Sequence, residues 1–215
     1  MDHEEWIRMN MFSACVQCFH HLGLLEFVAL YCYYSQGIEY GDFYNKLLSF
    51  LEERPETVAG DVFRRVREHF TSVINDGGPV VFVDEKYGLV SWTAEEYAFL
   101  EIVREKKRFY DEIHEFINSL GIDDSILTEL MNYQYAIVKV TANPHDELIM
   151  QYDFPGYFAN ALSSSPVPLS KKTLRLVIND PDTFDNWEDY ARFVVWYGRR
   201  GGKNIYLSEA TCEPV

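Results

Sequence analysis

The chain is short of basic residues. Its 215 residues carry 19 Lys and Arg against 34 Asp and Glu, a formal net charge of -15. A nucleic-acid duplex is a dense line of negative charge, and binding it depends heavily on neutralising phosphates. General nucleic-acid binding is therefore disfavoured. Four cysteines, Cys15, Cys18, Cys32 and Cys212, are too few at this length for a disulfide framework. No long uninterrupted apolar run is present. The stretch from Phe12 to Tyr34 comes nearest, but Gln17, His20, His21 and Glu26 interrupt it, and a membrane span would bury those groups at a cost. The chain opens MDHEEW, whereas a secretory signal opens basic. These absences together read as a soluble, cytoplasmic chain with no membrane partner.

Catalytic motifs are also missing. There is no G-x-S-x-G, Walker A, H-E-x-x-H or G-x-G-x-x-G pattern, and the cysteines form no redox pair in a βαβ context. What is abundant is aromatic surface, with 15 Tyr and 15 Phe. Such residues build a large core or an exposed face that meets a partner.

The apolar spacing predicts a mainly helical α+β fold: a helical bundle with an inserted β-hairpin, then a small mixed α/β region. Residues 11–35 read as one buried helix. Tyr40, Phe43, Tyr44, Leu47, Leu48 and Leu51 give the face of a second over 40–53, with Asp42 as a candidate cap. Val58, Val62, Val66, Phe70 and Val73 give a third over 57–75. Short strands at 80–83 and 89–92 form the hairpin. Thr93 and Glu96 make a capping box for a long helix from Ala94 to Leu120. Residues 1–120 thus form one region and 121–215 a second. The second contains a short helix over 124–133, strands over 135–140, 147–154 and 174–178, and a linker-like SSSPVPLS at 163–170.

The densest stretch is Asp185 to Leu207. Asp185 and Glu188 suit a capping box. Trp187, Tyr190, Ala191, Val194 and Val195 share a helix face, Gly198 suits a left-handed cap, and a short strand closes the run. Between them stand Arg199, Arg200, Gly201, Gly202 and Lys203. Turn amides beside glycines with forked guanidinium donors can hold a carboxylate or phosphate. This turn, with Trp196 and Tyr197 leading into it, is the candidate site for a small anion. The competing reading is a basic turn that meets the helix dipole and the chain's own acids.

Other constellations are weaker. Cys15, Cys18 and His20 are metal-type ligands, but adjacent His20 and His21 point apart on a helix and no second ligand pair follows. No cofactor is assigned. Asp111 and His114 match half of a carboxylate di-iron pattern whose second half is missing. Helix, hairpin and helix over 57–120 suggest a winged helix, with Arg64, Arg65 and Arg67 as its basic residues and an acidic wing at 84–88.

Three segments together resemble a known family. They are Leu130 to Val138 (LMNYQYAIV), Tyr152 to Phe158 (YDFPGYF) and Asp189 to Gly202 (DYARFVVWYGRRGG). Their order and spacing resemble the C-terminal accessory region of some cobalamin-binding radical SAM proteins, best over residues 127–206. That family's radical chemistry needs C-x-x-x-C-x-x-C, and its cobalamin domain often carries D-x-H-x-x-G. Neither occurs here. The resemblance therefore implies a non-catalytic accessory or protein-interaction domain whose partner is a catalytic protein or domain. The alternatives are an anionic-ligand-binding protein or enzyme using the 198–203 turn, and a winged-helix nucleic-acid binder.

Overall fold

The computed structural model describes residues 2–141, 147–163, 167–179, 183–196 and 206–215. Among these, nine α-helices surround one apolar core and a three-stranded antiparallel sheet covers one side. The mainly helical α+β reading holds.

The amphipathic helices form where their spacing demands. In α3 (Tyr40–Glu53), Phe43, Tyr44, Leu47, Leu48 and Leu51 are all buried. No side chain caps it: Glu39 holds the cap position and Asp42 lies in the first turn. In α4 (Val58–Asp76), Val58, Val62, Val66 and Phe70 face inward. The Thr57 hydroxyl caps this helix by accepting from the Gly60 amide at 3.1 Å.

The N-terminal helix is not continuous over 11–35. It starts earlier, as α1 (His3–Val16), widens into a π-type turn over Gln17–His21, and stops. Helix α2 (Glu26–Gln36) then leaves at 91° to it. Gly23 makes this corner at φ +89°, a conformation that side-chain-bearing residues rarely adopt. Among the described residues, no single helix is long and apolar enough to cross a membrane. The bent pair lies in the core, where Phe19 stacks on Phe63 and Phe109 at 5.4 and 6.0 Å.

The long helix expected from Ala94 to Leu120 is also two. Helix α5 (Ala94–Arg104) keeps its Thr93–Glu96 capping box. Glu105 departs from helical geometry, and α6 (Lys106–Asn118) restarts. The break coincides with an inward Lys106, whose Nζ donates to the Val138 carbonyl at 2.7 Å. The expected hairpin shrinks to a single bridge between Phe82 and Trp92, with a 3-10 turn over Glu85–Tyr87 between them. Gly88, at φ +83°, turns the loop back, and both aromatic rings fold toward the helices.

The predicted strand over 135–140 is mostly helix. In α7 (Asp124–Ile137), Tyr133, Gln134, Ala136 and Ile137 continue the buried helical face of Leu130 and Met131. Packing against α2 and α6 overrides the β-branched bias of the segment. After 147 come β1 (Glu147–Tyr152), α8 (Phe154–Leu162) and β2 (Lys171–Ile178). The sheet order is β1-β2-β3, the last strand being Ala210–Pro214. Met150 faces Leu174 across the first pair, and Leu176 faces Cys212 across the second. Helix α8 seats its aromatics on the first half of the chain: Phe158 lies 4.7 Å from Phe27, and the Tyr157 hydroxyl meets Ser35 Oγ at 2.7 Å.

Candidate functional site

The basic turn lies outside the described residues, as do Tyr197, Gly198, Arg199, Arg200, Gly201, Gly202 and Lys203. The structure defines how the chain enters and leaves it. On the way in is α9 (Trp187–Tyr190), which runs into a π-type turn over Ala191–Trp196. Its cap is Asn186 rather than Asp185. The Asn186 Oδ1 accepts from the Asp189 amide at 2.8 Å, which is the bond a cap must make. Tyr190, Ala191, Val194 and Val195 are buried as their spacing requires, and Trp187 is half-buried. The Tyr190 hydroxyl donates to the Lys139 carbonyl at 2.7 Å. Trp196 is half-buried, with its ring 5.9 Å from Trp92 and nearly perpendicular to it.

On the way out, Tyr206 is buried between His21 and Phe99, at 6.2 and 6.0 Å. Its carbonyl accepts from the Lys139 amide at 3.2 Å. Leu207 forms a bridge to Val138, and Ser208 donates its amide to the Ile137 carbonyl at 2.7 Å. Of the expected closing strand, Tyr206 and Leu207 are described and carry one bridge, at Leu207. A further strand, β3, follows and pairs with β2. Described residues before and after the turn, Tyr190 and Tyr206 to Ser208, are therefore bonded to one short segment, residues 137–139, at the C-terminal end of α7. Two buried cations belong to this junction, Lys106 and Lys139, and Lys106 Nζ also sits 4.3 Å above the Tyr135 ring.

A second polar centre was not anticipated from sequence. Glu101 on α5 has a side chain only 9% exposed, and three cations surround it. Arg65 reaches it at 2.9 Å, Lys86 at 2.7 Å and Arg104 at 3.5 Å, and the Tyr87 hydroxyl donates to it as well. Burial opposes its charge, but hydrogen bonds from Lys86, Tyr87 and Arg65 outweigh that and bring its pKa down to about 2. Its signal in sequence was a lone acid in an otherwise buried run, between Leu100 and Ile102. This cluster ties the 84–88 loop to α4 and α5. On its other side the loop meets α9: a Cβ added at Gly88 would lie 3.2 Å from the Glu188 side chain.

The remaining candidates disperse. Cys15 and Cys18 are fully buried, and burial raises both thiols well above their ordinary range. His20 turns instead to Tyr44, its Nδ1 2.9 Å from the hydroxyl. Among the described residues, no three His, Cys, Asp or Glu side chains converge as metal ligands. Asp111 and His114 line an open groove of about 420 Å³ between α6 and α7, and Asp111 is bound there by Lys107 at 2.6 Å. Arg64 pairs with Asp61 and Glu68, Arg65 with Asp61 and Glu101, and Arg67 with Glu4 and Glu52. The candidate basic helix is thus neutralised by the chain's own acids.

No family model matches the chain. It is 27% identical over 176 residues to the 2-(S-pantetheinyl)-carbapenam-3-carboxylate methyltransferase of Streptantibioticus cattleyicolor, which covers 74% of the chain and 26% of that protein. It is 26% identical over 180 residues to the cobalamin-dependent radical SAM methyltransferase TokK of Streptomyces tokunonensis, covering 75% of the chain and 26% of TokK. The chain therefore spans about a quarter of the length of the curated relatives it matches. This agrees, at the level of distant similarity, with the resemblance to part of a cobalamin-binding radical SAM protein.

Proposed function

We propose that this chain is a non-catalytic accessory region that works with a radical SAM-type methyltransferase, covering or positioning the catalytic domain or its substrate. One observation carries this reading. Three quarters of the chain aligns with only a quarter of each of two methyltransferases, so what is shared is about one domain's worth of a larger protein. The chemistry of the described residues supports it. The three N-terminal cysteines are sealed in the core, and the strongest polar centre, Glu101, is saturated by cations and a tyrosine. A carboxylate held strongly ionised by three cations and a tyrosine hydroxyl fits a structural role in fastening α4, α5 and the 84–88 loop.

The test is association. The purified chain is mixed with a radical SAM methyltransferase catalytic unit that lacks its own copy of this region, and the mixture is resolved by size-exclusion chromatography. Co-elution in a fixed ratio is expected. Separate elution at micromolar concentrations, at both low and moderate salt, would sink the proposal.

A second reading places a small anion at the turn 198–203. It is favoured by the chemistry of the run, in which Arg199, Arg200 and Lys203 flank Gly201 and Gly202 in an otherwise acidic chain. The nucleic-acid reading has the least support, because Arg64, Arg65, Arg67 and Lys86 are all held by carboxylates.

A further inference from the structure

We infer that this chain pairs with a second copy of itself through the groove between α1 and α3, each copy setting its Met9 into the other's groove and its Glu5 on the other's Arg8. The inference goes beyond the accessory reading and stands independently of it.

The groove has a volume of about 740 Å³ and is lined by Glu5, Arg8, Met9 and Phe12 of α1 and by Asn45 and Leu48 of α3. The four α1 positions are spaced i, i+3, i+4 and i+7, which places them on one stripe of the helix. Phe12 is half-buried and Leu48 buried, so the floor is apolar. Met9 stands out from it at 52% exposure, and its unbranched thioether chain adapts to an irregular groove. The two charges single this stripe out. Among the described residues, every arginine except Arg8 is ion-paired to a carboxylate. Acids outnumber bases by 34 to 19, so a cation left over breaks the pattern. Glu5 has no ion pair among the described residues either, although it lies one turn before Arg8. Asp61 and Arg64 have the same order and spacing on α4 and close at 2.5 Å.

The occupant follows from what the face carries. It holds an apolar knob and a groove to receive one, and an anion and a cation one turn apart. A foreign partner needs only one half of each contact. A surface with both halves is complementary to its own copy across a twofold axis, where each contact is made twice. With the two α1 helices antiparallel about an axis near Arg8, each Glu5 lies about one turn along from the other copy's Arg8, a gap these two side chains span. Both copies carry a net charge of -15, and their general repulsion is screened by salt more strongly than an ion pair in contact.

The experiment is sedimentation equilibrium of the full chain at about 0.15 M salt, over about 1 to 300 μM protein. Wild type is compared with Arg8→Glu, with Glu5→Arg and with the two variants mixed in equal amounts. Both altered side chains are exposed, and melting temperatures check that each variant folds. Wild type is expected to show a monomer–dimer equilibrium. Each variant alone is expected to pair at least about tenfold more weakly, because like charges then meet twice. The mixture is expected to recover the wild-type affinity to within about threefold, since one copy then supplies both acids and the other both arginines. A wild type that stays monomeric throughout overturns the inference and leaves the groove to a different molecule. Variants that pair as tightly as wild type overturn it too, as does a mixture that pairs no better than its components. No catalytic unit is present, so each of these results leaves the accessory reading as it was.

Discussion

Gln134, wholly buried on α7, bridges the corner at Gly23. Its Nε2 donates to the Gly23 carbonyl at 2.8 Å, and its Oε1 accepts from the Phe27 amide at 2.9 Å. A helix that stops inside a core leaves backbone groups without intrahelical partners. One side chain from 107 and 111 residues away satisfies two of them. Gln134→Leu keeps the volume and removes both bonds. It is expected to cost about 2–4 kcal/mol, because two buried backbone groups lose their partners. Urea denaturation measures this. A loss below about 0.5 kcal/mol would mean that water or a shifted backbone takes over the bridge.

The same corner separates two glycines that look alike in sequence. Gly23→Ala would place a Cβ at φ +89° and 2.8 Å from Leu207 Cδ2, on the segment leaving the basic turn. Gly37→Ala has the same left-handed strain, at φ +67°, but meets nothing within 4 Å. The expected costs are about 2 kcal/mol for Gly23→Ala and about 1 kcal/mol for Gly37→Ala. Equal losses in paired melts would show that Leu207 yields freely and does not fasten the turn.

Glu101 sets an acid limit on stability. Its pKa is held at about 2 in the folded protein, against 4.5 for the ordinary group. A depressed folded pKa adds stability that is complete above the unfolded value. That contribution is lost as pH falls from about 4.5 toward 2. Glu101→Gln is expected to destabilise the protein by on the order of 2 kcal/mol at pH 7 and to flatten the loss of stability across that acid window. Parallel pH–stability curves for wild type and variant would refute the assignment.

Some of this fold was legible in the sequence, and the rest was fixed by distant contacts. Helices α3 and α4 could be read because their core residues recur every three to four positions and a cap or a proline marks an end. The corner at Leu22–Leu25 could not, since Leu22, Leu24 and Leu25 are apolar on every side and the residue that stabilises the break lies on α7. Strand β3 reads as a tail. ATCEP has no alternation, ends at a proline and is exposed along its whole length, so only pairing to β2 makes it a strand. At the candidate site, the buried face of Tyr190, Ala191, Val194 and Val195 followed from spacing. The anchors Val138 and Lys139 did not, because they were read as part of a strand.

The anion reading makes its own forecast for the turn. Millimolar inorganic phosphate or a small dicarboxylate is expected to raise the melting temperature by a few degrees, since a ligand that binds only the folded form stabilises it. Arg199→Ala and Arg200→Ala should each reduce that shift by at least half. A shift that survives both substitutions removes the turn as the anion site.

The accessory role is tested most directly by turnover. Methyl transfer is measured for a radical SAM methyltransferase catalytic unit deprived of its own matching region, with and without the full chain. The account predicts that the chain alone is inactive, that the deprived unit is at least tenfold impaired, and that adding the chain restores a saturable part of the rate. Methyl transfer by the chain alone would contradict it, and so would a deprived unit that works equally well in its absence.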